Sequence, residues 1–299
     1  MQLNHIKDNI YYISAPVNMG IIVNERGEAL LVDTGIDDSV SRKVRRMLEE
    51  KGFTLKGIII THAHADHCGG APYLVKSTGA RVYATGIEKT VLEYPVWEPV
   101  YLFGGAYPPQ PLRNKFFLAP GVVVDQELEP GVHNVAGSEV EIVDLAGHTL
   151  GQVGVAAGGV LFCADAIIGQ DILSKHGIPL NTNIHRSLET FALLEERRES
   201  HFLPAHGALL EDIKMVTAAN RRRVEDTIDH LLSLMSIRRT AEEILAAACA
   251  KFGVHIGNPG QYYLMHLTVL AYLSFLLDKK LITPTYRDNR QYFSLTSAG

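Results

Sequence analysis

The segment 61–67, with the sequence THAHADH, places three imidazoles and one carboxylate within six consecutive residues. It directly follows the apolar, strand-like stretch 57–60. Imidazole nitrogen and carboxylate oxygen bind zinc and related transition metals, and a loop at a strand end lets such ligands converge. A polar loop that is histidine-rich by chance is the alternative, and the density of ligands disfavours it. The spacing therefore predicts a metal site.

Further potential ligands follow other strand-like runs. His148, Asp165 and His206 each come after a separate apolar stretch, and Asp33 follows another at residues 29–32. Apart from Asp33, these residues and the histidine-rich segment supply seven nitrogen and oxygen ligands. Sheet-based folds often gather their chemistry at strand ends. The segments together therefore indicate one shared site.

The order of these motifs resembles that of the metallo-β-lactamase-fold hydrolase superfamily, and within it glyoxalase II. The matching pattern is His-x-His-x-Asp-His, Gly-His-Thr, an aspartate at a strand end and a late His-Gly, over roughly residues 1–208. The resemblance implies two divalent metal ions. One would be held by His62, His64 and His148, and the second by Asp66, His67 and His206, with Asp165 bridging both. Asp33 would orient a ligand instead of binding metal.

Two cations that share a bridging water lower its pKa, so the resemblance implies a hydroxide nucleophile near neutral pH. Asp66 and Asp165 are the candidate catalytic carboxylates: Asp66 would also position the water, and Asp165 would hold both ions. Mixed imidazole and carboxylate ligands accept zinc, iron or manganese, and zinc is the expected ion. The chain departs from the family at Ala164 and Ala205, where glycine is common.

The three cysteines are an alternative source of metal ligands, because thiolates bind zinc well. Cys68 adjoins His67, Cys163 lies two residues before Asp165, and Cys249 is far along the chain. The nitrogen and oxygen ligands already account for two metals, so packing is the favoured role of the thiols. An odd cysteine count without a secretory segment indicates a reducing cytoplasm instead of a disulfide framework.

The composition sets the size and class of the protein. The 299 residues are 46% hydrophobic, enough for one large domain and a small one. There is no uninterrupted apolar run of membrane-spanning length, and residues 1–9 are polar, so we expect a cytoplasmic protein without a membrane anchor. A net charge of −5 gives no general attraction to nucleic acid.

Strand-like and helical patterns alternate along the first part of the chain. The predicted strands are 11–14, 21–24, 29–32 and 57–60, and an amphipathic helix is predicted over 38–51, ended by Gly52. This order favours an α/β fold. The resemblance implies an αββα sandwich for a catalytic domain of residues 1–208, with the metals along one edge.

Residues 94–130 form an irregular, aromatic-rich insertion between the two halves of this domain. A long insertion of this kind typically has a function. Trp97, Tyr101, Phe103 and Tyr107 are candidates for an apolar lid or pocket wall that contacts a small-molecule substrate. A surface-packed segment or a homodimer contact is an equally favoured alternative.

Residues 209–299 are predicted to form a separate small domain. A capping box at Thr240, a later helix over about 262–279 and a hairpin at 282–295 give the order helix, helix, wing, which resembles a winged-helix domain. Residues 210–299 contain eleven Lys or Arg and nine Asp or Glu, and the later helix is too apolar to read a DNA groove. Packing, dimerisation or pocket closure is therefore favoured over nucleic-acid binding.

Three functions remain open at this point. A small-molecule hydrolase that cleaves a thioester, ester or lactone, resembling glyoxalase II, agrees best with the aromatic insertion and the acidic charge. A single-strand ribonuclease would need basic and stacking residues leading to the metals. An iron-dependent enzyme that handles sulfur or oxygen would not need Asp66, His67 and His206 together. An antibiotic-degrading β-lactamase is disfavoured, because such enzymes generally lack the aspartate that Asp165 supplies.

Overall fold

Two β-sheets pack face to face in the structure, a computed structural model that describes residues 1–296 apart from the side chain of His176. The first sheet has seven strands in sequence order: β1 (Gln2–Lys7), β2 (Ile10–Ser14), β3 (Met19–Val23), β4 (Glu28–Val32), β5 (Thr54–Ile59), β6 (Arg81–Ala84) and β7 (Gln126–Glu127). Strands β1 to β4 pair antiparallel, and β4 to β7 pair parallel. Helices in the crossovers connect the parallel strands.

The second sheet has five strands. In chain order they are β8 (Gly131–Val135), β9 (Ser138–Asp144), β10 (Val153–Ala157), β11 (Val160–Ala164) and β12 (His201–Pro204). Neighbours pair antiparallel except β11 and β12, which are parallel. Two helices, α6 (Gln170–His176) and α7 (Ile184–Glu196), lie in the crossover between those two strands.

The inner faces of the two sheets share one apolar core. Ile22 and Ile59 from the first sheet and Val155 and Phe162 from the second are among its buried residues. Gly20 in β3 lets the Phe162 ring approach closely, since a Cβ at Gly20 would lie 2.6 Å from Cε1 of that ring. Strands β3 and β11 are buried along their whole length, which explains their continuous apolar sequences.

Helices cover the outer face of each sheet. Those that follow β4, β5 and β6 are α1 (Asp38–Glu50), α2 (Ala65–Cys68), α3 (Ala71–Thr78) and α4 (Gly86–Glu93). Asp37 caps α1, and Val44 and Leu48 of that helix pack against Ile58 of β5 in the outer core. The second sheet is covered by α7 and by the C-terminal helices. These layers confirm the expected α/β sandwich.

The predicted strands and the helix from residue 38 are all present, with ends within three residues of the prediction. The insertion at 94–130 is more regular than expected, because it contains helix α5 (Trp97–Leu102), a 3₁₀ turn (Gln110–Leu112) and β7. A six-residue helix has too few turns to show a hydrophobic period in the sequence.

The C-terminal part contains three helices and a hairpin. Their bounds are α8 (Lys214–Leu234), α9 (Ala241–Lys251), α10 (Pro259–Asp278), β13 (Ile282–Arg287) and β14 (Arg290–Leu295). The expected capping box at Thr240 is formed. Asp288 and Asn289 join the two strands with φ of 50° and 59°, as a two-residue type I′ turn requires. The helix, helix, hairpin order is as expected, and the winged-helix assignment stays a prediction.

The C-terminal helices share a hydrophobic core with the second sheet. Leu231 of α8 and Tyr272 of α10 belong to the same cluster as Phe191 of α7 and Leu161 of β11. The domain boundary near residue 208 therefore stays a prediction, since packing is continuous across it. Among the described residues, no helix has both the length and the apolar composition needed to cross a membrane.

Candidate metal centre

The candidate ligands lie at strand ends along one edge of the two sheets. In the first sheet β4 and β5 are parallel neighbours, so Asp33 and the segment 61–67 emerge at the same edge. In the second sheet β9 leads to His148 and β11 leads to Asp165. His206 follows β12, which runs parallel to β11. The strand order therefore explains how residues more than a hundred positions apart come together.

Three imidazole nitrogens converge in the first candidate site. Nδ1 of His64 lies 3.1 Å from Nε2 of His62 and 2.9 Å from Nε2 of His148. Nitrogens bound to one tetrahedral zinc ion at about 2.0–2.1 Å are about 3.3 Å apart. The three atoms are thus spaced to bind a single ion.

Asp66, His67 and His206 form the second candidate site, where the ligand atoms all lie within 4.8 Å of one another. Asp165 lies between the two sites. Its Oδ2 is 3.5 Å from Nε2 of both His148 and His206, and its Oδ1 is 3.3 Å from Nε2 of His67. A carboxylate in this position can contact ions in both sites. The structure thus brings together all seven residues that the sequence indicated as ligands.

The outward-facing nitrogen of each histidine has its own partner. In four of them this nitrogen is Nδ1, at 2.8 to 3.2 Å from its partner. His62 contacts the Thr61 hydroxyl, and His67 contacts the Asp33 carboxylate. His148 contacts the Leu180 carbonyl, and His206 contacts the Pro16 carbonyl. Nε2 of His64 is 3.4 Å from the Tyr101 hydroxyl. Partners of this kind fix the orientation of each ring, so that its inward nitrogen faces the position of a cation.

Asp33 is connected to both candidate sites. Its carboxylate is buried and accepts hydrogen bonds from Nδ1 of His67 at 2.8 Å and from the backbone and hydroxyl of Thr61. The Thr61 hydroxyl in turn contacts Nδ1 of His62. Asp33 has a φ of 63°, a left-handed conformation that aspartate tolerates better than most residues. Its placement suits a residue that orients ligands without binding metal.

Among the described residues, two buried polar atoms in the centre have no partner that meets hydrogen-bond geometry, although they lie 3.3 Å from each other. They are Nε2 of His67 and Oδ1 of Asp165. An orphaned polar atom in a buried site is costly and uncommon, and here both atoms face the candidate ions. Divalent cations would satisfy both atoms, so the side chains present fit the metal ions that the resemblance implies.

Burial and neighbouring charges set the protonation of the centre. Burial, together with His67 and His64, holds the pKa of His62 well below its ordinary value. Burial and His148 lower the pKa of His64 to about 3, so both rings are in the neutral form that binds cations. Burial lowers the pKa of His206, but Asp165 and Asp66 together outweigh burial and raise that pKa to about 10. In the metal-free centre His206 therefore carries a proton that a cation would displace.

Two local features position the residues around Asp165 and His206. Ala164 has a φ of 49°, in the left-handed region that favours glycine, which explains why glycine is common there in the family that the sequence resembles. The Asn18 side chain donates hydrogen bonds to the carbonyls of Pro204 and Gly207, on either side of His206. Sequence reasoning missed Asn18 because its partners are more than 180 positions away and no local pattern marks it.

The four aromatic residues proposed for a pocket have different surroundings. Tyr101 contacts the metal centre through His64, and Trp97 lies one helical turn earlier on the same face of α5, half exposed. Phe103 packs edge-to-face on Tyr263 of α10, with ring centroids 5.1 Å apart. Tyr107 is 70% exposed and accepts a hydrogen bond from Arg113. The structure therefore places one of the four in contact with a candidate ligand.

The cysteines are buried and unpaired. Sγ of Cys68 donates to the carbonyl of Ala63, and Sγ of Cys163 donates to the carbonyl of Leu161. Within the described residues, the clusters that could hold a metal contain no cysteine. This supports packing as the role of the thiols.

Comparison with known proteins identifies the family. The family model described as the metallo-beta-lactamase superfamily matches residues 14–206. The chain belongs to this superfamily. The match covers every candidate metal ligand and both sheets apart from β1 and most of β2, and it ends at His206.

Curated relatives include proteins named hydroxyacylglutathione hydrolase. The protein from Methylobacillus flagellatus is 28% identical over 148 residues, which cover 50% of this chain and 46% of that protein. The one from Dechloromonas aromatica is 32% identical over 134 residues, covering 45% and 39%. A Drosophila melanogaster protein named beta-lactamase-like protein 2 homolog is 25% identical over 191 residues, covering 61% and 56%. The chain thus spans about half the length of these relatives.

Solved structures show the same fold over almost the whole chain. A beta-lactamase domain protein from Burkholderia ambifaria superimposes with a TM-score of 0.77 at 17% identity, covering 98% of this chain and 94% of that one. A metallo-beta-lactamase family protein from Thermus thermophilus has a TM-score of 0.71 at 20% identity, covering 96% and 98%. At these identities the likeness establishes the fold.

Proposed function

We propose that this superfamily hydrolase uses two divalent metal ions to cleave a small-molecule thioester, with esters and lactones as related substrates. The observation that carries the proposal is the position of Asp165, whose Oδ2 is equidistant, at 3.5 Å, from His148 of one triad and His206 of the other. A single-metal site would not need both complete triads. The relatives named hydroxyacylglutathione hydrolase support a thioester as the substrate class.

Each proposed ligand has a defined place in this scheme. His62, His64 and His148 would hold one ion, Asp66, His67 and His206 the other, and Asp165 would contact both. When bound, the pair of ions would activate water and polarise the carbonyl oxygen of the substrate. Zinc is the proposed metal, and ligands of these types also accept iron and manganese.

The side chains indicate where a substrate enters. His67 and Asp165 are at most 9% exposed, whereas Asp66 and His206 are 38% and 25% exposed. The centre is therefore open on the side of Asp66 and His206. A carbonyl group that enters there meets Asp66, which we assign to orient the attacking water.

Helix α5 supplies an apolar surface beside this opening. Trp97 and Tyr101 share its exposed face, while Glu98 and Leu102 share its buried face. The contact between Tyr101 and His64 fixes the exposed face next to the first triad. We therefore assign Trp97 and Tyr101 to bind the acyl group of the substrate, and we assign Phe103 to hold α5 in place.

The C-terminal part supports this surface from behind. Tyr263 of α10 packs on Phe103, and Gly260 of the same helix lies against Phe117 of the insertion. A Cβ at Gly260 would lie 2.5 Å from Cε2 of Phe117, so the contact is tight. These contacts favour a pocket-closing role for α10 over a role in nucleic-acid binding.

A second candidate substrate is single-stranded RNA. The insertion carries two exposed pairs of basic and aromatic residues, in which Arg113 lies 5.2 Å from the centre of the Tyr107 ring and Lys115 lies 5.6 Å from that of Phe116. Such pairs can stack on bases and contact phosphates. The net acidic charge of the chain weighs against this candidate.

A pooled assay separates these functions. Metal-loaded protein would be incubated with acyl thioesters, simple lactones, a phosphodiester and a short single-stranded RNA, and products would be identified by mass spectrometry. We expect thioester cleavage that is lost in Asp165→Ala and kept in Asp229→Ala, which removes an exposed carboxylate on α8. Cleavage of RNA alone would overturn the thioester assignment.

A further inference from the structure

Glu88 is a buried carboxylate outside the set of proposed metal ligands. It lies in α4 and is 3% exposed. Its Oε2 accepts a hydrogen bond from the backbone N–H of Ala63 at 2.8 Å. Its Oε1 accepts two more, from the Thr149 hydroxyl at 2.7 Å and from the N–H of Gly151 at 3.0 Å. All three partners are donors, so the ionised carboxylate matches them.

These hydrogen bonds join the two loops that carry the first triad. Ala63 lies between His62 and His64, in the loop that follows β5 of the first sheet. Thr149 adjoins His148, in the loop that follows β9 of the second sheet. Every ligand of the first triad is therefore one residue away from a hydrogen-bond partner of Glu88.

The contact between α4 and the second loop is close. The Thr85 hydroxyl, just before α4, donates to the carbonyl of Gly151 at 2.9 Å. A Cβ at Gly151 would lie 2.9 Å from that hydroxyl and 3.1 Å from Oε1 of Glu88. The loop is thus held at a short, fixed distance from the helix.

We propose that Glu88 is a positioning residue that sets the distance between the two loops and so assembles the three-histidine site. The inference rests on the proposed two-metal function. Other residues hold the second triad. His67 is hydrogen-bonded to Asp33, and the segment around His206 is hydrogen-bonded to Pro16 and Asn18. Loss of Glu88 should therefore weaken the first metal site and spare the second.

Matched variants isolate this role. Glu88→Gln keeps the shape of the side chain, but its amide group must turn an N–H toward at least one of the three donors. Thr149→Val removes one hydrogen bond with little change in volume, and Thr149→Ser retains the hydroxyl. Glu98→Gln is the control for a buried carboxyl, because Glu98 is 4% exposed on the neighbouring α5 and hydrogen-bonds to neither loop within the described residues.

The test measures zinc binding to the metal-free chain by calorimetry. Circular dichroism verifies that each variant is folded. We expect the wild-type chain to bind two zinc ions. In Glu88→Gln, one site should keep its affinity for zinc, and the affinity of the other should fall at least tenfold. Thr149→Val should show a smaller loss at the same site, while Thr149→Ser and Glu98→Gln should bind like wild type. If Glu88→Gln does not fold, Thr149→Val decides.

Two wild-type sites with unchanged binding in the folded variants would overturn the role of Glu88. Equal weakening of both sites would overturn it as well, because a general loss of structure would then explain the effect. Fewer than two sites in the wild-type chain would instead contradict the two-metal function, so the two failures are distinguishable.

Discussion

The carboxylate of Asp33 accepts a hydrogen bond from Nδ1 of His67 at 2.8 Å, and both side chains are almost fully buried. The same carboxylate binds the Thr61 hydroxyl, which contacts His62. One residue at the end of β4 thus contacts His67 directly and His62 through Thr61, a histidine in each triad.

The first prediction follows from this double contact. Asp33→Asn keeps the size of the side chain but removes one of the acceptors that Thr61 and His67 share. Loss of such an outer contact typically weakens metal affinity about 10- to 100-fold, and we expect this at both sites. Competition with a chelator measures the affinities. Unchanged affinity at both sites in a folded variant would show that Asp33 does not orient the ligands.

The second prediction concerns the acyl-binding surface. Because Trp97 is half exposed beside Tyr101, a bound acyl group would cover its ring. We expect Trp97→Ala to raise KM for long-chain acyl thioesters about tenfold, equivalent to about 1.4 kcal/mol, and to leave acetyl thioesters unaffected. Tyr94→Ala is the control, since Tyr94 is 64% exposed and precedes α5. An equal effect on short and long chains would contradict the assignment.

The third prediction tests the support that α10 gives to the insertion. Gly260→Val would push Phe117 away, because even a Cβ at this position meets its ring at 2.5 Å. We expect a raised KM with two metal ions still bound, since no metal ligand contacts Gly260. Gly257→Val serves as the control, because a Cβ at Gly257 would have its nearest neighbour at 3.7 Å. Unchanged kinetics in Gly260→Val would show that α10 does not support the pocket.

The fourth prediction concerns the helix cap at Asp37. Hydrogen bonds from Ser39 and Lys115 lower the pKa of Asp37 to about 2, from an ordinary value of 3.8. Because the folded pKa is the lower one, the stabilisation is complete above about pH 4 and is lost as the pH falls toward 2. Asp37→Ala should lower the free energy of unfolding by about 1 kcal/mol at pH 7.

Denaturant unfolding of the metal-free chain measures this cost. The difference between wild type and Asp37→Ala should shrink below pH 4. Asp38→Ala is the charge-matched control, because the Asp38 side chain is exposed and does not cap the helix. A difference that is independent of pH would mean that the charge of Asp37 does not contribute.

The sequence predicted those parts of the site that local patterns encode. The ligands in segment 61–67 share one loop, and His148, Asp165 and His206 each follow a clear apolar run, so type and spacing were sufficient to find them. The central strands were equally clear, because burial on both faces makes them continuously apolar.

Contacts between distant segments could not be predicted. Glu88 and Asn18 function through backbone groups of other loops, and a backbone N–H or carbonyl leaves no signal in the sequence. The surroundings of Phe103 depend on Tyr263 of α10, which is 160 positions away. The direction of each aromatic side chain in the insertion was undetermined for the same reason.

The most direct test of the two-metal proposal is thioester hydrolysis by the metal-free chain during stepwise addition of zinc. Because Asp165 lies between two complete triads, we expect little activity with the first equivalent and a rise to full activity with the second. Asp165→Ala should stay inactive throughout the titration. Full wild-type activity at one equivalent, with no second ion bound, would contradict the dinuclear assignment.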